Sequence, residues 1–496
     1  MSDKTYTVPL IIRGQVIEDD CIPFGGRRGG VKFQAPDLGK HLNNICLSAP
    51  SKMGDLYSIS LDDIIDYLVE LGARLDFARN PYLREAFELS SFTSGLSDSI
   101  LRYQYEHIPH FFRRDEIEMM IERACGRDYL EGWVEQPGTF PALKCQVRAF
   151  GARAVHVIAG NAPIVSILTV IRNAFTRSDA IIKTPSNDPL TAAALARTMV
   201  DMAPDHPVTR HLSVAYWKGG DDRVESAIYD PRKIEKLVAW GGFDSISHIT
   251  KYLQPGIDLI TQDPKLSGTL IGKEAFKDEE TLHAVAKRLA LDVGAQNQEG
   301  CVSARVIYVE SGTDEEGVAR ANRLGELTFA AMQKLPPHLS TPHKDFNREL
   351  KEEIDGARVM AEDYRIFGGQ DNEGAIIVSQ EDYPVDFSRI LGCRVGNIVP
   401  VDSFETAVRS VNAYTQTIGI YPESLKKALR DRLAFQGGQR LVSLGGASTM
   451  QHNMEKQDAI EPVRRMLKWV SEETADGALF EAIADNSAAE APVAIG

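Results

Sequence analysis

The sequence predicts an α/β protein built from two parallel-sheet domains. From about residue 140 onward, short apolar runs alternate with helix-length segments, a rhythm typical of a parallel sheet covered by helices on both faces. The rhythm restarts after about residue 265, which predicts a second α/β unit. The chain has 496 residues, of which 43% are hydrophobic and 25% are charged, a composition that excludes a disordered chain, a collagen and a coiled-coil rod.

The first 130 residues have a mixed pattern. VPLIIRGQVI predicts a short hairpin that turns at Arg13-Gly14, and the apolar spacing over residues 61–75 predicts a helix. The segment GGRRGG at residues 25–30 predicts an exposed basic turn, and contact of this turn with a phosphate stays open as the alternative.

The first α/β unit is predicted from four short apolar runs, at residues 155–158, 180–183, 212–217 and 236–240. Ligands of such sheets bind at the carboxyl ends of the strands. Side chains and turns that follow these runs are therefore the candidates for a ligand site at one edge of the sheet.

An uncharged stretch at residues 154–171 reaches the lower limit of length for a membrane span. His156, Gly160, Asn161 and Pro163 interrupt it near its middle, which favours a strand, a tight turn and a helix. We therefore expect no membrane span.

The second unit is predicted from a helix over residues 279–293, a strand over 305–309 and a long helix over about 314–335. A further strand is expected at 397–401, with a helix from Ser403 onward. The tail from about residue 472 is acidic and Ala-rich, and we expect it to be frayed at its end.

Charge and cysteine content restrict the class of protein. The formal net charge is −15, and an acidic chain does not attract phosphate backbones, so we expect no nucleic-acid partner. Six cysteines without a Cys-x-x-Cys pair predict reduced thiols rather than a disulfide framework or a zinc site, hence no metal. The N-terminus lacks the apolar core of a signal peptide, and we expect a cytoplasmic protein.

Four short motifs follow predicted strands or element boundaries: GNAPIVS with Asn161, IIKTPSNDP with Lys183, VAWGGFDSI with Gly241-Gly242, and AQNQEGC ending at Cys301. Taken singly, Asn161 fits a turn residue, Lys183 a solvated side chain and the glycine pair an ordinary turn. Cys301 differs, because it follows a glycine in a polar turn between a helix and a strong strand, where a ligand can reach the thiol.

The order and spacing of these four motifs resemble the aldehyde dehydrogenase superfamily, and most of all the fatty acyl-CoA reductases of bacterial luminescence, the LuxC-type family. The resemblance extends from the hairpin near the N-terminus to RRML at residues 464–467. It implies two Rossmann-like parallel-sheet domains with a cleft between them and a small oligomerisation element. The expected domains are a nicotinamide cofactor domain at residues 1–264, a catalytic domain at 265–444, and a C-terminal segment at 445–496 that returns to the cofactor domain.

The resemblance also implies roles for individual residues. Cys301 would be the acyl-accepting nucleophile, and Asn161 with the backbone N–H of Cys301 would form the oxyanion hole. Lys183 would contact the adenosine ribose or its phosphate, and Gly241 would lie beside the pyrophosphate. The neighbouring cofactor-binding candidates are Thr184, Pro185, Ser186 and Gly242.

Two departures from the superfamily pattern bear on mechanism. Gln262 stands where hydrolytic aldehyde dehydrogenases carry the glutamate that activates water, and glutamine cannot remove a proton. RILGCRVGN, at residues 389–397, replaces the Glu-x-Phe-Gly-Pro segment that usually holds the nicotinamide ribose. The first departure favours thioester exchange over hydrolysis, and the second leaves one cofactor contact unassigned.

The resemblance and the missing base together predict an NADPH-dependent reductase that makes an aldehyde from a long-chain acyl thioester, through an acyl group on Cys301. Because the thiolate is the nucleophile, we expect neighbouring amide dipoles, together with the positive ring of the bound cofactor, to lower the pKa of Cys301. The acyl donor would be acyl-CoA, an acyl carrier or an acyl-transferring partner protein, and the chain would form a homodimer or homotetramer. A short-chain CoA-acylating aldehyde dehydrogenase and a non-catalytic partner subunit stay open as alternatives.

Overall fold

The computed structural model describes residues 5–25, 31–137, 143–262, 265–448, 456–475 and 477. The predicted basic turn at residues 25–30 lies outside the described residues from residue 26 onward. The strands are β1 (Tyr6–Thr7), β2 (Leu10–Ile12), β3 (Gln15–Ile17), β4 (Cys21–Gly25), β5 (Lys32–Pro36), β6 (Val134–Gln136), β7 (Leu143–Phe150), β8 (Arg153–Val157), β9 (Asp179–Lys183), β10 (Leu212–Ala215), β11 (Lys236–Trp240), β12 (Asp258–Gln262), β13 (Leu266–Ile271), β14 (Ala304–Val309), β15 (Tyr364–Gly368), β16 (Ala375–Ser379), β17 (Val395–Pro400), β18 (Thr415–Tyr421), β19 (Arg440–Ser443) and β20 (Lys468–Ala475).

The α-helices are α1 (Leu42–Ile45), α2 (Leu61–Arg74), α3 (Pro81–Thr93), α4 (Asp98–Glu106), α5 (Arg114–Ala124), α6 (Arg127–Glu131), α7 (Ile164–Phe175), α8 (Thr191–Met202), α9 (Pro207–Arg210), α10 (Asp222–Ile228), α11 (Phe243–Thr250), α12 (Glu279–Gly294), α13 (Glu315–Met332), α14 (Arg348–Val359), α15 (Glu405–Ser410), α16 (Glu423–Gln436) and α17 (Pro462–Met466). Among the described residues, no helix is both long enough and apolar enough to cross a membrane.

The first large sheet has the strand order β12-β11-β8-β9-β10-β2-β3. Strands β8 to β12 run parallel, and the hairpin of β2 and β3 joins antiparallel to β10. From β8 the chain adds β9 and β10 on one side and then crosses to place β11 on the other. This reversal opens a crevice above the carboxyl ends of β8 and β11, which is where doubly wound sheets bind their ligands.

The predicted hairpin and its turn are confirmed. Arg13 and Gly14 both adopt left-handed backbone angles, with φ of 49° and 84°, as the tightest hairpin turns require. A Cβ at Gly14 would lie 2.3 Å from the carbonyl oxygen of Pro204, so the close packing leaves room for glycine alone. Arg13 also donates to Asp179 at 3.1 Å, which ties the turn to the start of β9.

The uncharged stretch at residues 154–171 forms β8, a turn and the first part of α7, as predicted. Helix α7 is buried on every side from Val165 to Phe175, because it lies between the sheet and the helices of the N-terminal region. Of these, α2 matches the predicted helix at 61–75, and a reciprocal bond pair between Ser60 and Asp63 caps its start.

The second large sheet has the order β15-β16-β17-β14-β13-β18-β19. Its strands are parallel except β15, which pairs antiparallel with β16. Helices α12 and α13 cover one face, and α15 and α16 cover the other. The change from the first sheet to the second falls between β12 and β13, and the α/β class with two parallel-rich sheets is confirmed. The proposed domain boundaries at 264 and 444 stay predictions.

A small sheet of order β20-β7-β6 contains the last described strand. Eight residues of β20 pair antiparallel with β7, from Lys468 opposite Phe150 to Ala475 opposite Leu143. Residues 472–475 of the acidic tail therefore belong to this sheet, and the end of the tail, which is predicted to fray, lies outside the described residues. Backbone pairing with β7 holds these acidic residues in the sheet while their side chains stay in solvent.

Candidate active site

Cys301 lies in a tight turn between α12 and β14. Three consecutive residues of this turn, Gln296, Asn297 and Gln298, have φ of 54°, 53° and 63°. Left-handed angles are uncommon outside glycine, and a run of three survives only where surrounding contacts enforce it. The turn is therefore a constrained element of the fold.

Two buried amide side chains supply that constraint. The side chain of Asn297 accepts from the backbone N–H of Thr341 at 2.8 Å and donates to the Thr341 hydroxyl at 3.2 Å. Gln298 donates to the carbonyls of Ala304 and Val395 at 2.8 and 2.9 Å and accepts from the N–H of Val395 at 2.7 Å. The conformation before Cys301 is thus fixed by β14, by β17 and by the segment at residue 341.

The Cys301 residue is also anchored through its own backbone. The hydroxyl of Ser267, on β13, donates to the Cys301 carbonyl at 2.6 Å and accepts from the N–H of Thr417, on β18, at 3.0 Å. The thiol is half-buried, and no disulfide involves it. Two strands of the second sheet, β13 and β18, therefore fix the backbone that carries this thiol.

Burial raises the pKa of the Cys301 thiol, and the nearby carboxylate of Asp458 raises it further. A hydrogen bond from Gln416 and the charge of Arg305 oppose this effect without outweighing it. The expectation of a lowered pKa is therefore wrong for this structure. Desolvation disfavours the thiolate more than the surrounding donors favour it.

The amide of Asn161 reaches this turn from the other sheet. Its Nδ2 donates to the carbonyl of Glu299 at 3.4 Å, two residues before Cys301. The loop that carries Asn161 is fixed by Asn187, whose amide donates to the carbonyl of Gly160 at 2.9 Å. A Cβ at Gly160 would lie 2.4 Å from Asn187 Oδ1, so a larger residue would displace this contact. The structure thus brings the Asn161 loop and the Cys301 turn together.

The end of β9 places the predicted Lys183 segment at the edge of the first sheet. The ammonium group of Lys183 lies 5.5 Å from the centre of the Trp217 ring, and no carboxylate of the described residues forms an ion pair with it. Burial lowers its pKa to about 8, against the opposing charge of Glu225. A desolvated cation without a bound counter-ion is suited to receive an anion.

The three residues after Lys183 differ in accessibility. The Thr184 side chain is fully buried and bonded to the Ala215 carbonyl, so it stabilises the join between β9 and β10. Pro185 and Ser186 are half-buried, and Pro185 lies beside Gly160. Of these residues, Lys183 and Ser186 carry polar side chains that are not fully buried.

The glycine pair and Gln262 lie at the ends of two adjacent strands. Gly241 and Gly242 join β11 to α11, and a Cβ at Gly242 would have open space around it. Backbone N–H groups at the start of α11 therefore face a region that an anion can enter. Gln262 ends β12, opposite Trp240; it is buried, and its Oε1 has no hydrogen-bond partner among the described residues.

Sequence reasoning missed the charged groups around the Cys301 turn. Glu299 accepts from His343 Nε2 at 2.9 Å, and Arg305 donates from Nε to the carbonyl of Leu391 at 2.9 Å. Gln416 donates to Asp458 and contacts the Cys301 thiol. EGC could have drawn attention to Glu299 as a carboxylate beside the nucleophile, but nothing in the sequence pairs it with His343.

The segment 389–397 contains a helical turn at Ser388–Ile390, two left-handed residues at Cys393 and Arg394, and the start of β17. It lines a cavity of about 560 Å³ together with the Glu299 and His343 pair. Among the described residues, no group of three or more His, Cys, Asp or Glu side chains is arranged to hold a metal ion.

Solved structures of aldehyde dehydrogenases share this architecture. Lactaldehyde dehydrogenase from Escherichia coli superposes with a TM-score of 0.71, at 15% identity, over 95% of this chain and 100% of that one. The NADP-dependent glyceraldehyde-3-phosphate dehydrogenase from Bacillus halodurans, solved with NADP, gives a TM-score of 0.70 at 12% identity over 95% and 100% of the two chains. The predicted aldehyde dehydrogenase-like fold is confirmed.

Comparison with related sequences identifies the family within this fold. A long-chain acyl-protein thioester reductase from Vibrio harveyi is 26% identical over 94% of this chain and 93% of its own length. The enzyme of that name from Photorhabdus laumondii is 27% identical over 95% and 94%. The family model described as acyl-CoA reductase (LuxC) matches residues 56–469. The chain therefore belongs to the LuxC family of acyl-CoA reductases, and it is an oxidoreductase.

Proposed function

We propose that this enzyme reduces a long-chain acyl thioester to the aldehyde with NADPH, through an acyl group held on Cys301, and releases CoA or a carrier thiol. The observation that carries the proposal is the hydrogen bond from Asn161 Nδ2 to the Glu299 carbonyl at 3.4 Å. It joins an amide donor of the first sheet to the turn that bears the thiol of the second. A nucleophile and a donor for the developing oxyanion are the minimum set for acyl transfer.

Acylation begins with attack of the Cys301 sulfur on the thioester carbonyl. Negative charge develops on the carbonyl oxygen, which Asn161 Nδ2 and the Cys301 backbone N–H would stabilise. The C–S bond to the donor thiol then breaks, and the thiol proton of Cys301 leaves with the departing thiolate. Because the pKa of Cys301 is raised in the structure, the thiol form is favoured, and acylation has to remove this proton.

The second half-reaction needs a hydride, which NADPH supplies when bound. The same two donors would stabilise the oxyanion of the resulting hemithioacetal on Cys301, and its collapse releases the aldehyde and restores the thiol. Water is a competing nucleophile for the acyl group. Gln262, buried at the end of β12, cannot act as the general base that fast hydrolysis requires, which supports reduction over hydrolysis.

The residues at the sheet edge fit a phosphate-bearing cofactor. Lys183 offers a desolvated ammonium group with no carboxylate partner among the described residues, and the start of α11 after Gly242 offers backbone donors beside open space. Lys183 would hold the phosphate of the adenosine ribose, and Gly241 and Gly242 would lie against the pyrophosphate. Ser186 and Pro185 would border the ribose.

The long chain and the donor rest on the relatives, which are named for long-chain acyl-protein thioesters. We infer the same substrate class here, delivered on CoA, on a carrier or on an acylated partner protein. We also expect a homodimer or homotetramer in the cytoplasm.

A panel of acyl-CoA and acyl-carrier thioesters from two to sixteen carbons tests the proposal. The assay follows NADPH oxidation and aldehyde release, with NADH in parallel. We expect long-chain thioesters and NADPH to give the highest kcat/KM. A maximum at two to four carbons would instead identify a short-chain CoA-acylating aldehyde dehydrogenase.

A further inference from the structure

The carboxylate of Glu299 lies where three parts of the chain meet, two residues before Cys301. Glu299 itself belongs to the turn before β14, the segment after α13 contributes His343, and the loop between α3 and α4 (residues 94–97) contributes Gly95. The main-chain carbonyl of Glu299 accepts the hydrogen bond from Asn161. This one residue therefore joins the N-terminal helices to the two groups that acylation uses.

A buried histidine holds this carboxylate. His343 Nε2 donates to Glu299 Oε1 at 2.9 Å, and the side chain of His343 is fully buried. The backbone N–H of His343 donates to the carbonyl of Asn372 at 2.8 Å, which fixes the segment that carries the ring. Because a buried polar group without a partner is unfavourable, the histidine opposes any displacement of the carboxylate.

The loop between α3 and α4 packs against the same carboxylate. A Cβ at Gly95 would lie 2.4 Å from Glu299 Oε1 and 2.7 Å from the carboxyl carbon, so there is room for glycine alone while the carboxylate keeps its place. Lys344 Nζ donates to the carbonyl of Ser91, on α3, at 2.8 Å, which holds this region against the segment of His343. The loop and the histidine together leave the carboxylate little freedom.

The backbone of Glu299 is tied to the strained turn that precedes it. Glu299 has ordinary helical backbone angles, and its N–H donates to the carbonyl of Gln296 at 3.0 Å. The bond from Asn161 to its carbonyl is 3.4 Å long, close to the limit for a hydrogen bond. A small movement of this carbonyl is therefore enough to release the Asn161 amide.

We propose that Glu299 is a positioning residue whose carboxylate, held by His343 and the Gly95 loop, fixes the carbonyl that keeps Asn161 beside Cys301. The inference rests on the proposed function, in which Asn161 stabilises the oxyanion formed when Cys301 is acylated. In this role Glu299 neither contacts the substrate nor takes a proton. Displacement of the carboxylate slows acylation, because a misplacement of about 1 Å can cost on the order of 100-fold in rate.

The test measures acylation of the full-length enzyme by tetradecanoyl-CoA without cofactor. Rapid quenching with chromatography gives the rate of CoA release, and peptide mapping locates the acyl group. The variants are Glu299→Ala, Glu299→Gln and Gly95→Ala, with Glu299→Ala also combined with Gly95→Ala and with Asn161→Ala. Glu353→Ala, at an exposed position of α14, and Gly54→Ala, where a Cβ meets no atom within 4 Å, are the matched controls. Circular dichroism verifies folding, and Gly95→Ala replaces Glu299→Ala in the combination with Asn161→Ala if Glu299→Ala does not fold.

We expect Glu299→Ala and Gly95→Ala each to lower the rate of CoA release about tenfold, without a change in the tetradecanoyl-CoA concentration that gives half the maximal rate. Glu299→Gln keeps an oxygen of the same reach for the His343 bond, so it should recover most of the rate that Glu299→Ala loses. Gly95→Ala should cost nothing further in Glu299→Ala, because the added Cβ then has no carboxylate to displace. Glu299→Ala should cost nothing further in Asn161→Ala, because the donor that it positions is already absent.

An equal loss of rate from Glu299→Ala in the wild-type and the Asn161→Ala backgrounds would overturn the inference and leave the proposed function intact. Wild-type rates in both Glu299→Ala and Gly95→Ala would have the same meaning. A wild-type enzyme that neither releases CoA nor carries an acyl group on Cys301 would instead contradict the proposed function, and the inference would fail with it.

Discussion

Asn161 Nδ2 donates to the carbonyl of Glu299 at 3.4 Å, so the amide that follows β8 in one sheet reaches the turn that carries Cys301 in the other. At 3.4 Å this hydrogen bond is long. It holds the Asn161 side chain beside the turn, where the side chain is only half-buried. A substrate oxygen that accumulates charge is a better acceptor than this carbonyl. The Asn161 amide is thus positioned as a donor that can exchange the Glu299 carbonyl for the oxyanion of the substrate as its acceptor.

Replacing Asn161 with alanine should slow the chemical step without weakening cofactor binding. We expect kcat to fall about 100-fold or more, because one oxyanion donor is lost, while the Kd for NADPH changes less than about twofold. Steady-state rates and fluorescence titration measure the two quantities. The exposed Asn44→Ala provides the matched control. Parallel loss of rate and cofactor affinity would assign Asn161 a structural role instead.

Cys301→Ala should lower aldehyde formation by about 1000-fold or more, because no other group can take over a nucleophile's place in reduction. Peptide mapping after reaction with a long-chain acyl-CoA should show no acyl group at position 301. Cys145→Ala removes another half-buried cysteine and should leave the rate unchanged. Undiminished aldehyde formation by Cys301→Ala would remove the thiol from the reduction.

Lys183→Met should weaken NADPH binding about 10- to 100-fold and leave NADH binding nearly unchanged, since a charge-assisted bond to phosphate is lost. The pKa of Lys183 is lowered to about 8, so the ammonium form dominates below that pH. Wild-type affinity for NADPH should therefore decline as the pH rises from 7 to 9, while Lys183→Met shows no such decline. The exposed Lys218→Met serves as control, and a pH-independent wild-type affinity would contradict the assignment.

Gln262→Glu should convert part of the reductase into a hydrolase. A buried carboxyl group has a raised pKa, which suits a general base, and we expect the ratio of fatty acid to aldehyde to rise at least tenfold. Chromatography of the products after a single turnover measures this ratio. Gln254→Glu adds the same charge at an exposed position. If both variants give the wild-type ratio, the absence of a base at position 262 does not determine whether the acyl group is reduced or hydrolysed.

The sequence was informative where local pattern determines structure. The apolar run before Gly160 and Asn161, the strand that ends at Lys183 and the glycine pair after β11 all follow from periodicity and turn chemistry, and the structure has them at the expected elements. The helix α14 and the strand β18 were not predicted, because charged or mixed segments carry weak periodic signals.

The electrostatics of the site lay beyond sequence reasoning. The partners of the pair Glu299 and His343 are 44 residues apart, and those of Gln416 and Asp458 are 42 apart. Glu299 precedes β14 and His343 follows α13, whereas Gln416 lies on β18 and Asp458 follows β19, so these contacts form only in the assembled fold and no local pattern encodes them. For the same reason the lowered pKa expected for Cys301 was wrong, since burial is a property of the assembled fold.

Gln298→Leu tests whether the turn before Cys301 depends on its buried amides. The change leaves the carbonyls of Val395 and Ala304 without the Gln298 amide, whereas the N–H of Val395 keeps its bond to the Gly392 carbonyl at 3.0 Å. Each buried group that loses its partner costs about 1–3 kcal/mol, so for two carbonyls we expect the free energy of unfolding to fall by about 2 kcal/mol or more. Guanidinium titration with Gln254→Leu as an exposed control measures this loss. Gln298 has a left-handed φ of 63°, and the loss of its side-chain bonds should release that conformation and slow aldehyde formation. An unchanged rate in a destabilised variant would show that the strained turn serves folding alone.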